Sequence, residues 1–183
     1  MKVLIKGALL GGLVAFIWMN ISWMVLPWHW MTISALPDDA PVAEALRSHV
    51  SESGLYILPW SADQSEEAMA EVSTKMEKGP FSFMVIHPAG FKANMPVMMI
   101  SGLLFNIVVA LMLTYLLTKT SGLSYIQKVG FVKIAAVAGA LVIAVPNLIW
   151  WQFPFAYTAV TIVDTAVTWG FAGLVIARVV KDE

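Results

Sequence analysis

Four apolar blocks constrain the fold of this 183-residue chain more than any other feature of its sequence. They cover about residues 3–28, 95–117, 130–147 and 157–180. A helix needs about 20 predominantly apolar residues to cross a bilayer, and the blocks with their flanks reach that length. Only 13% of the residues are charged, whereas a soluble domain carries about a quarter. We therefore predict a mainly α integral membrane protein, built as a bundle of four transmembrane helices.

The first block has two possible interpretations. A basic start followed by an apolar run is also typical of a cleaved secretory signal. This run is longer than the apolar core of a signal, and it ends in the Trp-rich stretch "LPWHWM". We predict an uncleaved first helix in residues 1–30, a separate segment in residues 31–93, and the other three helices in residues 94–183.

Basic residues indicate the orientation of the helices, because short cytoplasmic loops carry an excess of Lys and Arg. The basic residues outside the segment 31–93 occur at three places: before the first block, around the connection between the second and third blocks, and after the fourth block. They are Lys2, Lys6, Lys119, Lys128, Lys133, Arg178 and Lys181. The connection "PNLIWWQFPFAY" carries no charge. Both termini are therefore predicted to be cytoplasmic, and residues 31–93 extracytoplasmic. That segment has nine acidic and four basic residues, a formal charge of −5.

The segment from 31 to 93 is patterned rather than uniformly polar. "DDAPVAEALRSHV" and "SADQSEEAMAEVSTKMEKG" are typical of short amphipathic helices. "SGLYILPW" and "FSFMVIHP" are typical of short strands. About 60 residues are marginal for an independent core, so we predict a small α/β cap between helices one and two. Whether its strands pair, and in which direction, is left open.

Small residues four positions apart occur in the first, third and fourth blocks, as with Gly7, Gly11 and Ala15 in the first, and the second block has Gly102 and Ala110 on either side of Asn106. In lipid, such spacing allows close helix–helix approach. We predict packing within one chain, although a homo-oligomer fits the same spacing.

Asp164 lies inside the fourth block, seven residues after Tyr157 and about 10 Å along a helix. Even on the lower scales, a carboxylate at mid-bilayer costs about 2.5–3.5 kcal/mol, so it needs partners. Two interpretations remain open: a proton or cation site, or a hydrogen bond that joins helices. The predicted intramembrane polar site consists of Asp164, its flanking threonines and the amides of two other helices: Thr161, Thr165, Thr168, Asn20 and Asn106.

His29 and His87 lie at the predicted outer ends of helices one and two, with Trp28 and Trp30 beside His29. The favoured interpretation is an interfacial aromatic belt that contains two histidines. Imidazole with thioether ligands is also suited to Cu(I). A copper site would combine these histidines with nearby methionines: Met31, Met95, Met98 and Met99. No repeated His or Met spacing supports it, and methionine is a common filler of apolar cores.

Several function classes are excluded or disfavoured by what the sequence lacks. It has no cysteine, which excludes disulfides, Cys-ligated zinc and iron–sulfur clusters. It has no phosphate-binding glycine loop, no HExxH motif and no serine-nucleophile motif. We predict no cofactor. The net charge of −1 and the absence of a basic cluster argue against a nucleic-acid partner.

Three stretches are distinctive together: "SGLYILPW", "GPFSFMVIHPAG", and the run from "VPNLIWWQFPFAYT" to "WGFAGLVIARV". They resemble a group of small bacterial four-helix inner-membrane proteins. This resemblance implies no particular activity. It implies a bacterial inner membrane and a periplasmic location for residues 31–93. The layout is also similar to that of claudin-like proteins. Those carry a paired-cysteine motif that this sequence lacks, so only the topology is taken from them.

These observations predict a non-catalytic inner-membrane protein, whose periplasmic cap binds a protein partner, a lipid or a small ligand. One alternative is a small proton-coupled transporter that uses Asp164, with Asn20, Asn106 and Thr168 along a polar track. Its weakness in sequence terms is the lack of a second acid or base within the membrane. The other alternative is a membrane-embedded enzyme with His29 and His87 at the outer interface.

Overall fold

The computed structural model describes residues 1–181, which contain six α-helices and two β-strands. Four helices are long and apolar enough to cross a membrane, which confirms the mainly helical prediction with four candidate spans. The elements in chain order are α1 Lys2–Met24, α2 Ala40–His49, β1 Gly54–Leu58, α3 Glu66–Lys78, β2 Ser82–Ile86, α4 Met95–Leu117, α5 Tyr125–Trp150 and α6 Phe155–Val179, with a 3₁₀ turn at Trp30–Thr32. The chain divides into two compact units. One comprises Met1–Ser34 and the described residues from Asn94 onward, and the other comprises Ala35–Ala93.

In the unit of long helices, α1 packs against α4 and α6, and α6 also packs against α5. The helices therefore follow the order α4, α1, α6, α5, and α4 and α5 share few contacts. Ala15, Ala110 and Ile176 are fully buried where α1 meets its neighbours.

Glycine allows the close approach around α1. A methyl group at Gly12 would lie 2.6 Å from the Ile107 Cα, and one at Gly11 would lie 2.7 Å from the Ile176 side chain. The small residues of α1 thus serve packing within the chain, as predicted.

Two helix boundaries differ from the predicted blocks. The first helix ends at Met24 rather than near Trp28, and the chain turns at Pro27. The third long helix starts at Tyr125, because Ser124 and Gln127 form a capping box at its N-terminus. That polar first turn lies outside the apolar block, so hydropathy alone misses it.

The unit formed by Ala35–Ala93 contains α2, α3 and one antiparallel sheet of β1 and β2. The register pairs Tyr56 with Met84 at the centre of the strands, which settles the direction that the sequence leaves open. Its core is small: Val72 and Ile86 are buried at 5% and 8% exposure.

An exposed pair stabilises α3 of this unit. The Lys75 Nζ atom lies 2.7 Å from the Glu71 Oε1 atom, one helical turn away. The hydrogen bond and the charge of Lys75 lower the pKa of the Glu71 carboxyl below its ordinary value.

Candidate functional site

Asp164 and His29 form a buried pair between α6 and the end of α1, although 135 positions separate them in the chain. The His29 Nε2 atom lies 3.1 Å from the Asp164 Oδ2 atom. The two residues are 2% and 6% exposed. The second titratable group that the proton-coupled alternative lacks in the sequence is therefore a direct partner of Asp164.

The turn after α1 holds the His29 ring in a fixed orientation. Trp23, in the last turn of α1, stacks on the ring with a centroid distance of 3.9 Å and an interplanar angle of 8°. Trp28 meets the ring edge-on at 5.6 Å. Thr32 donates its hydroxyl proton to the His29 carbonyl at 2.7 Å, which closes the 3₁₀ turn.

Three further polar side chains from α1 and its turn complete the hydrogen bonds around the His29–Asp164 pair. Trp18 Nε1 donates to the Asp164 Oδ1 atom at 2.8 Å, so each carboxylate oxygen has a partner. Ser22 is fully buried, and its Oγ atom lies 3.1 Å from His29 Nε2. Trp28 Nε1 donates to Ser22 Oγ at 2.9 Å. One turn separates Trp18 from Ser22, so α1 presents both side chains on one face towards α6.

The arrangement is not that of a serine-hydrolase triad. In a triad, the aspartate and the serine use opposite nitrogens of the histidine, whereas here both Ser22 and Asp164 lie beside Nε2. His29 Nδ1 is buried and has no hydrogen-bond partner among residues 1–181. Buried polar atoms without a partner are rare and require an explanation.

The geometry allows one exchangeable proton. With Nε2–H donating to the Asp164 carboxylate, a proton can be added to or removed from Nδ1 without changing the bonds at Nε2. The net charge of the pair is −1 when Nδ1 is bare and zero when Nδ1 is protonated. Nδ1 is therefore the one position of the pair that can take a proton in addition to the hydrogen bonds at Nε2.

The asparagines of the predicted intramembrane site have partners other than Asp164. Asn20 donates to the Phe16 carbonyl at 2.7 Å. Asn106 donates to the Gly102 carbonyl at 2.8 Å and contacts the Met19 sulfur at 3.3 Å. The hydrogen-bond partners of Asp164 are Trp18 and His29, whereas each amide donates to a backbone carbonyl of its own helix.

The threonines of α6 also bond to their own helix. Thr161, Thr165 and Thr168 donate to the carbonyls four residues earlier, at 2.9, 2.8 and 2.7 Å. The acceptor for Thr168 is the Asp164 carbonyl, not the carboxylate. Their hydroxyl oxygens keep lone pairs that can still accept hydrogen bonds.

A cleft of about 350 Å³ lies between α5 and α6, on the face of α6 that carries Thr161 and Thr165. Thr158, Asn147 and Tyr157 supply the other polar groups of its lining. We call this feature the threonine cleft. The rest of its lining is apolar, including Ala140 and Phe153.

The predicted interface residues fall into different environments. His29 is 2% exposed, while Trp30 is 60% exposed and donates to the Trp23 carbonyl. His87 belongs to the Ala35–Ala93 unit, where it is exposed and stacks on Phe91 at 5.8 Å.

The copper hypothesis gains no support from these positions. His29 and His87 belong to different units, and three of the four methionines are at least half exposed: Met31, Met95 and Met98. Across the described chain, no group of three or more His, Asp or Glu side chains is arranged to hold a metal ion.

No protein-family model, curated protein or solved structure matches this chain. The function is therefore inferred from the geometry of the site.

Proposed function

We propose that this chain is a small proton-coupled transporter, in which the His29–Asp164 pair carries the exchangeable proton. The observation that carries the proposal is the buried 3.1 Å contact between the two groups, together with the unpartnered Nδ1 atom. Titratable groups inside membrane proteins are costly and commonly lie on proton pathways. A pair that served only to join helices would need no free nitrogen.

The proposed setting is a bacterial inner membrane, with both termini in the cytoplasm and residues 31–93 in the periplasm. The distribution of Lys and Arg supports this orientation. In it, α6 starts on the periplasmic side at Phe155, and Asp164 lies nine residues further on, about 13 Å along the helix. The proton site would then belong to the outer half of the membrane.

Protonation is expected to act on the contact between α1 and α6. Removing the proton leaves one uncompensated negative charge between two apolar helices, where the low dielectric strengthens its effect. A charge change at such an interface biases the packing of the helices that share it. Transport would follow if the two packings expose a bound substrate to different sides of the membrane.

The first test is the protonation of His29 itself. The variant His49→Gln/His87→Gln leaves His29 as the single histidine of the chain, so ¹⁵N-histidine NMR reports on that ring alone. We expect the Nδ1 signal to change from that of a bare to that of a protonated nitrogen when the sample is acidified in steps, while Nε2 keeps its proton. An Nδ1 signal that stays unchanged throughout the series would contradict the proposal.

The second test is transport. Proteoliposomes with a trapped pH dye are exposed to neutral, cationic and anionic solutes. We expect solute-driven proton movement with the unaltered chain and with Asp63→Asn, a control acid in an exposed loop. Asp164→Asn is expected to abolish it. Solute-driven proton movement that persists in Asp164→Asn would rule out the assigned role.

A second candidate function concerns the Ala35–Ala93 unit, proposed as a binding module for a small ligand or a partner. The observation that favours it is a cavity of about 470 Å³ between α2 and the turn after β2, lined by Leu46, Arg47 and His87 among others. This volume lies within the usual range of ligand pockets, about 300–1,000 Å³. Native mass spectrometry of the full chain should detect a co-purifying ligand that is lost in Ala43→Phe, which fills the cavity. Retention of the ligand in that variant would place its binding elsewhere.

A further inference from the structure

The threonine cleft differs from the rest of the α6 surface in its unused hydrogen-bonding capacity. Thr158 is 5% exposed, and its hydroxyl forms no hydrogen bond with any residue between 1 and 181. The same holds for the Asn147 amide and the Tyr157 hydroxyl within the described chain. These three groups open onto the cleft, so their hydrogen-bonding capacity is available to a ligand there.

The hydrogen-bond donors and acceptors that line the cleft limit which ligands can bind there. Thr161 and Thr165 have given their hydroxyl protons to backbone carbonyls, so their oxygens can only accept. Thr158, Tyr157 and Asn147 can both donate and accept. A ligand that pairs with Thr161 and Thr165 must donate hydrogen bonds. A ligand that also accepts them, as a hydroxyl group does, can in addition use the donors of Thr158, Tyr157 and Asn147.

The charge and polarity of the cleft lining narrow the chemical class of the ligand further. No charged side chain lines the cleft, so an ionic headgroup would lie there without a counter-ion, at a high cost in apolar surroundings. Ala140, Ile143 and Ala144 supply an apolar wall on the α5 side. Outside this lining, α5 exposes further apolar side chains such as Ile134 and Val142. An occupant with a hydrocarbon chain would remain in apolar contact outside the polar part of the cleft.

We propose that the threonine cleft binds a neutral amphiphile with free hydroxyl groups, as the substrate of the proton-coupled transport. This inference rests on the proposed function, and it adds the class of substrate. Thr161 lies three residues before Asp164, and Thr165 lies one residue after it. The helix that contributes these groups to the cleft thus also holds the proton site on its neighbouring face.

The test measures binding rather than transport. The probe is a monoacylglycerol with a photoactivatable diazirine in its acyl chain, and the matched control is the dimethyl ether of the same molecule. The ether keeps the hydrocarbon chain and the oxygen acceptors but has no proton to donate. The full-length chain in lipid nanodiscs is irradiated with each probe, and labelled peptides of α5 and α6 are quantified by mass spectrometry.

We expect the monoacylglycerol to label these peptides several-fold more than its ether. Thr158→Val, which removes the unpartnered hydroxyl at nearly constant shape, should reduce the excess by roughly 3- to 10-fold, the effect of losing one hydrogen bond. The control variant is Thr114→Val, because the Thr114 hydroxyl is bonded to the Ala110 carbonyl at 2.6 Å, away from the cleft. It should leave the labelling unchanged.

Equal labelling by alcohol and ether, or full labelling of Thr158→Val, would overturn the inference and leave the proton site untouched. Asp164→Asn separates the two proposals. If it keeps the cleft labelling, binding is independent of the proton site. If it also keeps proton-coupled movement, the proposed function fails while the binding site stands.

Discussion

The two faces of α6 handle polar groups in opposite ways. Towards α1, the Asp164 carboxylate is enclosed, with one partner for each oxygen. Towards α5, Thr158 is equally buried but has no partner in the described chain, and a cleft of about 350 Å³ lies beside it. A satisfied polar group stabilises a helix contact, whereas an unsatisfied one beside open space is available to a ligand. Helix α6 therefore has a closed polar contact with α1 and an open cleft beside α5.

The largest expected effect comes from breaking the enclosed face. In His29→Leu, Asp164 loses its titratable partner and stays buried, which should destabilise the protein by about 3–5 kcal/mol. Thermal unfolding in mild detergent measures the loss. The double variant His29→Leu/Asp164→Leu should recover much of it, since no buried charge is left. A double variant as unstable as the single one would mean that packing, not charge, dominates at this contact.

A single added methyl group tests how tightly α1 packs against α6. In Gly11→Ala the new methyl would lie 2.7 Å from Ile176, which is fully buried. We expect a loss of about 1–3 kcal/mol from overpacking between α1 and α6. The matched control is Gly139→Ala in α5, where nothing lies within 4 Å of the added group. Equal unfolding temperatures for the two variants would remove the distinction between a tight and an open helix surface.

Removing a single hydroxyl group beside either face of α6 should have a smaller effect on stability. Ser22→Ala removes the acceptor of the Trp28 indole N–H and a neighbour of His29, and should cost about 1–2 kcal/mol. Thr158→Val removes a hydroxyl without a partner in the described chain and should stay within about 0.5 kcal/mol of the unaltered protein. Chemical unfolding of both variants measures the difference. A Thr158→Val variant as unstable as Ser22→Ala would show that the cleft hydroxyl is already satisfied.

The smallest effect is expected for the exposed Glu71–Lys75 pair, which serves as a reference for the buried pair. Because the folded-state pKa of Glu71 lies below its unfolded value, the stabilisation is present above the unfolded pKa and is lost as the pH falls through the folded one. Lys75→Met should remove this pH dependence from the local unfolding of α3. Hydrogen exchange of the α3 amides as a function of pH measures it. If the pH dependence of α3 unfolding is unchanged in this variant, another titratable group is responsible for it.

Hydropathy and turn chemistry predict most of the fold. The block at 95–117 coincides with α4, and the patterned stretches of residues 31–93 form α2, β1, α3 and β2 in the predicted order. The errors lie at helix ends such as Tyr125, where a capping box rather than hydrophobicity sets the boundary. Glycine spacing predicts close packing at Gly11 and Gly12, but it does not predict which helix each residue meets.

The candidate site is only partly predictable. An acidic residue inside an apolar block identifies Asp164 from the sequence, because its burial is costly. His29 is not identifiable as its partner, since the turn at Pro27 and the stacking of Trp23 bring it inward. Periodicity does contain one usable signal: Trp18 and Ser22 place two hydrogen-bonding side chains one turn apart on an otherwise apolar helix. The threonine cleft depends on how α5 packs beside α6, which no local pattern specifies.

The separation of 135 positions between His29 and Asp164 also has a consequence for biogenesis. A ribosome makes α1 first, so Ser22 and His29 are synthesised before their carboxylate partner exists. During the synthesis of α4 and α5, the end of α1 carries polar groups that the later helix must satisfy. Completion of the His29–Asp164 pair thus requires that α6 has packed beside α1, and a chain that stops before α6 would leave an unfinished polar surface on α1.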